Sequence, residues 1–576
     1  MYTSIRTQEI ATSHGGAIPE PDPKGESDVR RNVVDLTMPF SGKQALWQSD
    51  CFLADALSDL PVRDKVLFEA FGRGPRARPR YDVIHRGFEK FAAVQPDAIA
   101  ADHLGETITY GALEERANQL ACVLLHHGVR RGDAVALYLQ RSIPMIVGIL
   151  ATLKIGAAYV PQHIGVAPEN TLRHIIQVTG AKVVLTLSNL RQMVPTVPEL
   201  ICLSIDEIMK TPLSPQGEAS PFVETVRPDD RCFVLFTSGT TGVPNGVQVT
   251  HGNVCNILQT APGDLGIRPG LKVAQLLSIA FDMAAWEILG CLSNGGTLII
   301  RGRDFQAAAE QADVVIATPS ILCSLDESRC RNVKVAAVAG EPCPRPLADT
   351  WSQFCTFYNS CGPTETTIVN TADTHYPTKP VLSIGRPTPN NTVYILDRDM
   401  KPCRIGEIGE MWAGGDCVTT GYLGNEPLTS ERYRPDPFLG SGRLMFRTRD
   451  LGRWTAEGEL EHFGRVDDQV KIRGFRVELD GISSVLESVE GCTQAVTLKF
   501  DSRTLVSFVS PATFDRDAAQ KIMENRLHYY CVPTFVIAVD DIPRTSRGKL
   551  DKRLLLEMAK DYAASRLENA QQREGV

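Results

Sequence analysis

Phe233 to Asn253 reads FVLFTSGTTGVPNGVQVTHGN, and the fold turns on how this stretch is understood. The apolar run Phe233 to Phe236 is short and unbroken, as a buried strand of a parallel sheet is. Behind it comes a loop made almost wholly of hydroxyls and glycines: Thr237, Ser238, Gly239, Thr240, Thr241 and Gly242. Such a loop turns amides and hydroxyls toward an oxyanion, and glycine lets the backbone come close with no Cβ in the way. A nucleotide-binding P-loop would end in G-K-[ST] at the mouth of a helix. Here Gly246 is followed by Val247 and Gln248, so the P-loop reading fails, and from the residues alone the loop is either a solvated turn or a phosphate cradle of another kind.

On the N-terminal side the pattern is regular. In GALEERANQLACVLLHHG the residues Leu113, Ala117, Leu120, Ala121 and Leu124 fall on one helical face, with Gly128 placed to end the helix. A strand-like AVALYL (134 to 139) follows, then SIPMIVGILATLKIG with Ser142 as cap and Gly156 as stop, then KVVLTL (182 to 187). Strand and helix alternating in this way predict parallel sheets covered by helices. On the C-terminal side, VVIATPS (314 to 320) and VAAVAGEP (335 to 342) read as two further strand ends.

Composition sets outer limits. The 576 residues, 43% of them hydrophobic, are enough for two or more domains. A net charge of −8 argues against a nucleic-acid-binding face. The fifteen cysteines contain no C-x-x-C pair, which reads as reduced thiols of a cytoplasmic protein. No apolar run reaches the roughly 18 residues of a membrane span, so no membrane partner is expected. Residues 1 to about 33 are rich in Pro, Gly, Ser and charge and are expected to be disordered. Between 34 and 80 no motif can be interpreted.

The phosphate loop resembles that of the ANL adenylate-forming superfamily, worded TSG-[ST]-TG-x-P-K-G, with Asn245 in place of the lysine. The resemblance runs from about residue 85 to 555. SIAFDMAAWEILG (278 to 290) resembles the FD-x-x-x-W of amino-acid-activating adenylation domains of nonribosomal peptide synthetases. It implies that Asp282 holds the substrate's α-ammonium; read from the residues alone, Asp282 is equally an N-cap. TFYNSCGPTETTIVNT (356 to 371) is similar to the family's N-A-Y-G-P-T-E-T-T. By that match Asn359 faces the adenine amino group, Thr364 touches the α-phosphate and Glu365 holds Mg²⁺, while Cys361 stands where an aromatic stacks on adenine. Thr364 and Glu365 also suit a helix start. In FRTRDLGRW (446 to 454) Asp450 matches the aspartate that chelates the ribose diol, and Arg449 replaces the glycine before it.

GRVDDQVKIRGFRVELDGI (464 to 482) looks like the family hinge, G-R-x-D-x-Q-V-K-I-R-G-x-R-I-E-L, placing Arg465 at the ribose and Asp467 at the pivot. DIPRTSRGKLDKR (541 to 553) matches T-x-N-G-K-x-D-R and makes Lys549 the catalytic cation. The implied fold is α/β: a large N-terminal domain of parallel and mixed sheets covered by helices (34–466), and a small mobile α+β lid (467–555) with a helical tail (556–576). The implied substrate pocket is Asp282, Met283, Trp286, Ile316, Ala337, Ala339, Ser360, Ile368 and Val369. Apart from Asp282 it is uncharged, which points to an apolar or aromatic amino acid. The expected reaction is ATP- and Mg²⁺-dependent formation of an aminoacyl adenylate, then transfer to the phosphopantetheine thiol of a carrier protein in trans. No G-G-x-S-[LI] carrier motif follows Arg553. Two alternatives stand beside this: an acyl- or aryl-CoA ligase, against which Asp282 counts, and a nucleotide-binding pseudoenzyme, for which Asn245, Cys361 and Arg449 count.

Overall fold

The structure, a computed structural model, describes residues 52–212, 226–239, 243–472, 475–544 and 550–574. The first 33 residues therefore lie outside the described chain, as do Thr240, Thr241, Gly242 and Lys549. Two helix-covered sheets form the body of the molecule. One has six strands in the order Ile201–Ser204, Val183–Thr186, Ala134–Leu139, Ala158–His163, Arg231–Thr237, Asn245–Thr250. All are parallel except the last, which folds back on Arg231–Thr237 as an antiparallel hairpin. The other sheet has nine strands, parallel through its centre, where Lys272–Gln275, Val314–Ala317, Val335–Val338 and Thr356–Cys361 lie.

Local sequence explains the elements between them. Helix Tyr110–His126 buries Leu113, Ala117, Leu120, Ala121 and Leu124, as its spacing predicts, and Thr109 caps it by accepting from the Ala112 amide. Ser142 caps helix Ile143–Lys154 in the same way. That helix is buried on all sides, which is why its sequence is apolar all round. Its one cation, Lys154, is 3% exposed and is held between Glu89 at 2.6 Å and Glu114 at 2.8 Å. A single core joins these helices to helix Asp282–Leu292 and to both sheets.

A five-stranded antiparallel sheet follows, built on Asn391–Leu396, Gly409–Gly415 and Leu444–Trp454. The segment from residue 52, opaque in the sequence, covers it: Phe52, Leu57, Leu60 and Phe68 pack on Tyr394, Trp412 and Phe438. Last comes the smaller lobe. A hairpin, Gln469–Ile472 with Phe475–Glu478, precedes three strands, Gln494–Lys499, Leu505–Ser510 and Phe535–Ala538. Helix Lys552–Glu574 runs unbroken past residue 555 and buries Leu555 and Ala559 against those strands. No helix among the described residues is long and apolar enough to cross a membrane, and every described cysteine is a free thiol.

Candidate active site

Strands Arg231–Thr237 and Asn245–Thr250 pair in register from Thr237–Asn245 onward, so the hydroxyl-rich loop leaves the sheet at their shared end. At Gly239 a Cβ would stand 2.2 Å from the Val243 carbonyl oxygen, closer than any side chain tolerates. The turn therefore requires glycine. Asn245, where the family has lysine, accepts a 2.9 Å hydrogen bond from Asn425. A neutral amide pair thus borders the loop in place of a cation. Asn245→Lys is expected to lower the KM for ATP roughly fivefold, equivalent to about 1 kcal/mol for one added charge near the phosphates; pyrophosphate exchange against ATP concentration measures it.

The substrate side is fixed from below. Residues 276 to 281 leave strand Lys272–Gln275 and carry the chain to Asp282. Glu287, fully buried one turn into helix Asp282–Leu292, accepts from the amides of Leu276 (2.8 Å) and Leu277 (3.2 Å) and from Gln275 Nε2 (3.1 Å). Burial pushes its carboxyl well above the usual range. Glu287→Ala strands those three buried donors and is expected to cost about 3 kcal/mol of stability, read from the urea midpoint.

Asp282 is not an N-cap. It is the first residue of its helix, the cap position is Phe281, and no side chain closes that end. Its side chain is half-buried and lies near the Thr364 hydroxyl. Burial raises its pKa, opposed by Thr364 and by the nearby Lys471. Met283, Trp286, Ile316, Ala337, Ala339, Ile368 and Val369, spread over 87 positions of sequence, are all buried in the large core shared by both sheets. Ser360, 4% exposed, adds a hydroxyl with no partner among the described residues. A thin void bounded by Trp286, Tyr358, Ser360 and Val369 is too narrow for a water molecule. Thr367 and Ile368 take left-handed backbone (φ 56° and 70°), strain of a kind that collects at functional sites. The larger cavity of about 660 Å³, lined by Ile164, Met193, Leu527 and Tyr529 among others, touches none of the predicted site residues.

On the nucleotide side Asn359 gives its amide nitrogen to the Ser383 carbonyl (2.7 Å), which leaves Oδ1 as its acceptor for an amino group. Cys361 presents no ring, and burial pushes its thiol up to about 12. Asp450 accepts from Arg465 Nη1 at 2.7 Å, and Arg465 also forks onto Asp467 at 2.8 and 3.0 Å. Burial notwithstanding, His462 and Arg465 hold the Asp450 carboxyl below its usual range. Arg449 has φ 64°, the backbone a glycine adopts freely, so its side chain is carried on a strained residue. It spends that position on ion pairs to Glu431 at 2.5 Å and Asp467 at 3.5 Å.

Three groups unforeseen from sequence complete the cleft, all supplied or met by the small lobe's hairpin. Arg476 Nη1 contacts both oxygens of Glu365, at 3.1 and 3.0 Å, and Tyr422 donates to the same carboxylate at 2.6 Å. Burial alone would raise the Glu365 pKa; Arg476 and Arg432 bring it below the ordinary value. Lys471, the cross-strand partner of Arg476 in the hairpin, lies near Asp282 and Asp450, its pKa lowered by burial and by Arg476. Phe475 packs edge-on against Phe281 at 4.9 Å. A mate for Glu365 111 residues away carries no local sequence signal, but the charge excess of K-I-R-G-F-R over a carboxylate-poor hairpin is a signal that could have been followed.

The fold, two helix-covered sheets followed by a smaller C-terminal lobe, is that of an adenylate-forming enzyme of the ANL type. Residues 88–423 match the family model described as AMP-binding enzyme, and the chain belongs to that family. It is 43% identical over 515 residues to Adenylate-forming reductase 06235 of Coprinopsis cinerea, an alignment covering 88% of this chain and 50% of the reductase. Nonribosomal peptide synthetase sirP of Leptosphaeria maculans is 34% identical over 489 residues, 84% of this chain and 22% of the synthetase. The chain thus spans about half the length of the reductase it matches. Among solved structures, holo-PA1221, a nonribosomal peptide synthetase protein with adenylation and carrier domains bound to a vinylsulfonamide inhibitor, superposes with a TM-score of 0.74. It is 23% identical, with 86% of each chain covered, and shows the shared fold.

Proposed function

We propose that this chain activates an amino acid with an apolar or aromatic side chain as its adenylate and passes the aminoacyl group to a phosphopantetheine thiol on a carrier protein. The observation that carries the reading is Asp282: a half-buried carboxylate followed on its helix by the uncharged Met283 and Trp286, with Lys471 as a nearby cation. A desolvated anion is costly, and an α-ammonium adds to what Lys471 offsets. Attack of a carboxylate on the α-phosphorus brings two anions together, so the protein's task is to hold them in line and to screen their repulsion. Thr237, Ser238 and the loop behind them would cradle the terminal phosphates, Asn359 and Asp450 would hold adenine and ribose, and Thr364 would lie beside the α-phosphate.

Magnesium suits the site as a single-carboxylate ion. No group of three or more ligating side chains exists among the described residues, and Mg²⁺ characteristically takes one or two carboxylates and completes its shell with phosphate and water. Glu365 would hold it, and when bound it supplies charge neutralisation at the phosphates. With the hairpin seated, that carboxylate is occupied by Arg476.

An ATP–pyrophosphate exchange panel tests the reading. Phenylalanine, tryptophan and leucine should exceed lysine and glutamate, and phenylalanine should exceed 3-phenylpropanoate, which lacks only the amino group. A panel led by the des-amino acid, or by a charged amino acid, reverses it, and thioester formation on free coenzyme A at carrier-like rates would favour the ligase. A second reading of the downstream step draws on the 43% identity to a protein named an adenylate-forming reductase: the thioester is then consumed by reduction, and an aldehyde or alcohol product of the longer protein distinguishes it from a peptide.

A further inference from the structure

Leu276 and Leu277, buried where strand Lys272–Gln275 gives way to the turn before Asp282, have all four of their backbone polar groups held by side chains. Their amides donate to Glu287, at 2.8 Å from Leu276 and 3.2 Å from Leu277. The Leu276 carbonyl accepts from Arg301 Nε at 2.7 Å and from Arg141 Nη2 at 3.1 Å. The Leu277 carbonyl accepts from Gln275 Nε2 at 2.6 Å and from Arg141 Nε at 3.2 Å. One donor apiece would satisfy two buried carbonyls. Here each has two, which fills both lone pairs of each oxygen. The charged groups come from separate parts of the fold. Arg141 lies between strand Ala134–Leu139 of the six-stranded sheet and the helix that Ser142 caps, and Arg301 directly follows strand Thr297–Ile300 of the nine-stranded sheet. Glu287 is on the helix that Asp282 opens. Each is mounted on or beside a regular element, so the grip has little play. By contrast, the start of helix Asp282–Leu292 has no side-chain cap. Between Leu277 and Asp282 the chain makes one tight turn, closed by the Phe281 amide donating to the Ser278 carbonyl at 3.0 Å. Glu287 thus reaches back from the helix to the residues ahead of the turn, and the aspartate sits on a loop pinned at both feet.

Resting on the reading of Asp282 as the anion for the substrate's ammonium, we propose that Arg141 and Arg301 are positioning residues for amino-acid recognition: their grip on the Leu276 and Leu277 carbonyls, balanced by Glu287 on the amides, fixes where the Asp282 carboxylate meets that ammonium. Neither arginine has to touch the substrate; both act through the backbone that carries Asp282. A guanidinium suits the task because its planar fork spans two successive carbonyls, whereas a lysine ammonium is a single point of attachment. A charge-assisted hydrogen bond depends steeply on distance and angle, so slack in the turn is paid at the ammonium. The grip therefore bears on the amino group of the substrate and not on its side chain. Loosening it costs amino acids and spares acids that lack the amino group.

ATP–pyrophosphate exchange by the 576-residue chain, with phenylalanine and 3-phenylpropanoate as probes, tests this. Arg141→Ala should raise KM for phenylalanine roughly tenfold, the worth of one charge-assisted hydrogen bond, with kcat within about twofold. KM for ATP and for 3-phenylpropanoate should stay within about twofold of wild type. Arg141→Lys and Arg301→Lys, each keeping the charge without the fork, should raise KM for phenylalanine about threefold. In Asp282→Asn, which has no anion to place, adding Arg141→Ala should change KM for phenylalanine by less than about twofold. Should Arg141→Ala not fold, the two lysine variants decide by the same comparison of the two acids. A loss shared equally by phenylalanine and 3-phenylpropanoate, a fall in kcat alone, or effects of Arg141 and Asp282 that simply add reduces the arginines to packing and overturns the proposal while leaving the substrate reading intact. Wild-type exchange no better with phenylalanine than with 3-phenylpropanoate overturns the reading of Asp282 itself, and the proposal with it.

Discussion

Asp282→Asn is expected to lower kcat/KM for the preferred amino acid by roughly 10²–10³-fold, the equivalent of about 3–4 kcal/mol for leaving a substrate ammonium without its buried anion. The loss should appear in KM with kcat little changed, because the ammonium is bound in ground state and transition state alike. Turnover of 3-phenylpropanoate should change little, so the variant erases the preference for the amino group. The pH dependence has a definite sign. Burial raises the Asp282 pKa above the ordinary carboxylate value, and only the ionised form pairs with an ammonium. As pH falls, the wild-type KM should therefore climb at a higher pH than an exposed aspartate would give. Asp282→Asn should show no such climb, being weak throughout. Steady-state exchange kinetics across pH 4.5 to 8 measure both. A wild-type KM flat over that range, or an Asn variant within threefold of wild type, removes Asp282 from substrate recognition.

The parts of this site legible in the sequence are those whose chemistry is local. Gly239 announces a turn that no side chain fits, Ser142 caps the helix that follows it, and the apolar positions of 113 to 124 all turn inward. The seven apolar residues that the resemblance assigns to the pocket all lie in the large core shared by both sheets. Arg449 is instructive in another way: the sequence shows only a missing glycine, and the backbone keeps glycine's conformation regardless, φ 64°, held by ion pairs to Glu431 and Asp467. What stayed hidden depends on how the two lobes meet. The partners of Glu365 are Tyr422 and Arg476, 57 and 111 residues distant, and neither periodicity nor propensity reports contacts of that range. The resemblance implies a metal on Glu365; the structure shows Arg476 Nη1 against both of its carboxylate oxygens. Residues 52 to 68 were unreadable for a related reason, since their aromatic side chains answer to a sheet more than 300 positions away.

Lys549→Ala is expected to reduce ATP–pyrophosphate exchange by about 10²–10³-fold, the range found when one preorganised donor to a developing negative charge is removed, with no loss of thermal stability beyond 1 kcal/mol. Lys549 lies outside the described residues, but the hairpin's position sharpens what the variant should do. With the hairpin seated, the cations facing the cleft are Lys471 and Arg476, and they come from residues that precede the lid's own sheet, whereas Lys549 comes from beyond its last strand, Phe535–Ala538. Two cationic segments of one small lobe then serve one cleft, and if each belongs to a different half-reaction, the variants must separate. Lys549→Ala should leave transfer from preformed aminoacyl adenylate to a carrier thiol within about threefold of wild type. Lys471→Ala should do the opposite, sparing exchange and slowing transfer. Single-turnover assays of each half-reaction decide between this division of labour and a single shared cation, for which both variants would fail in the same half.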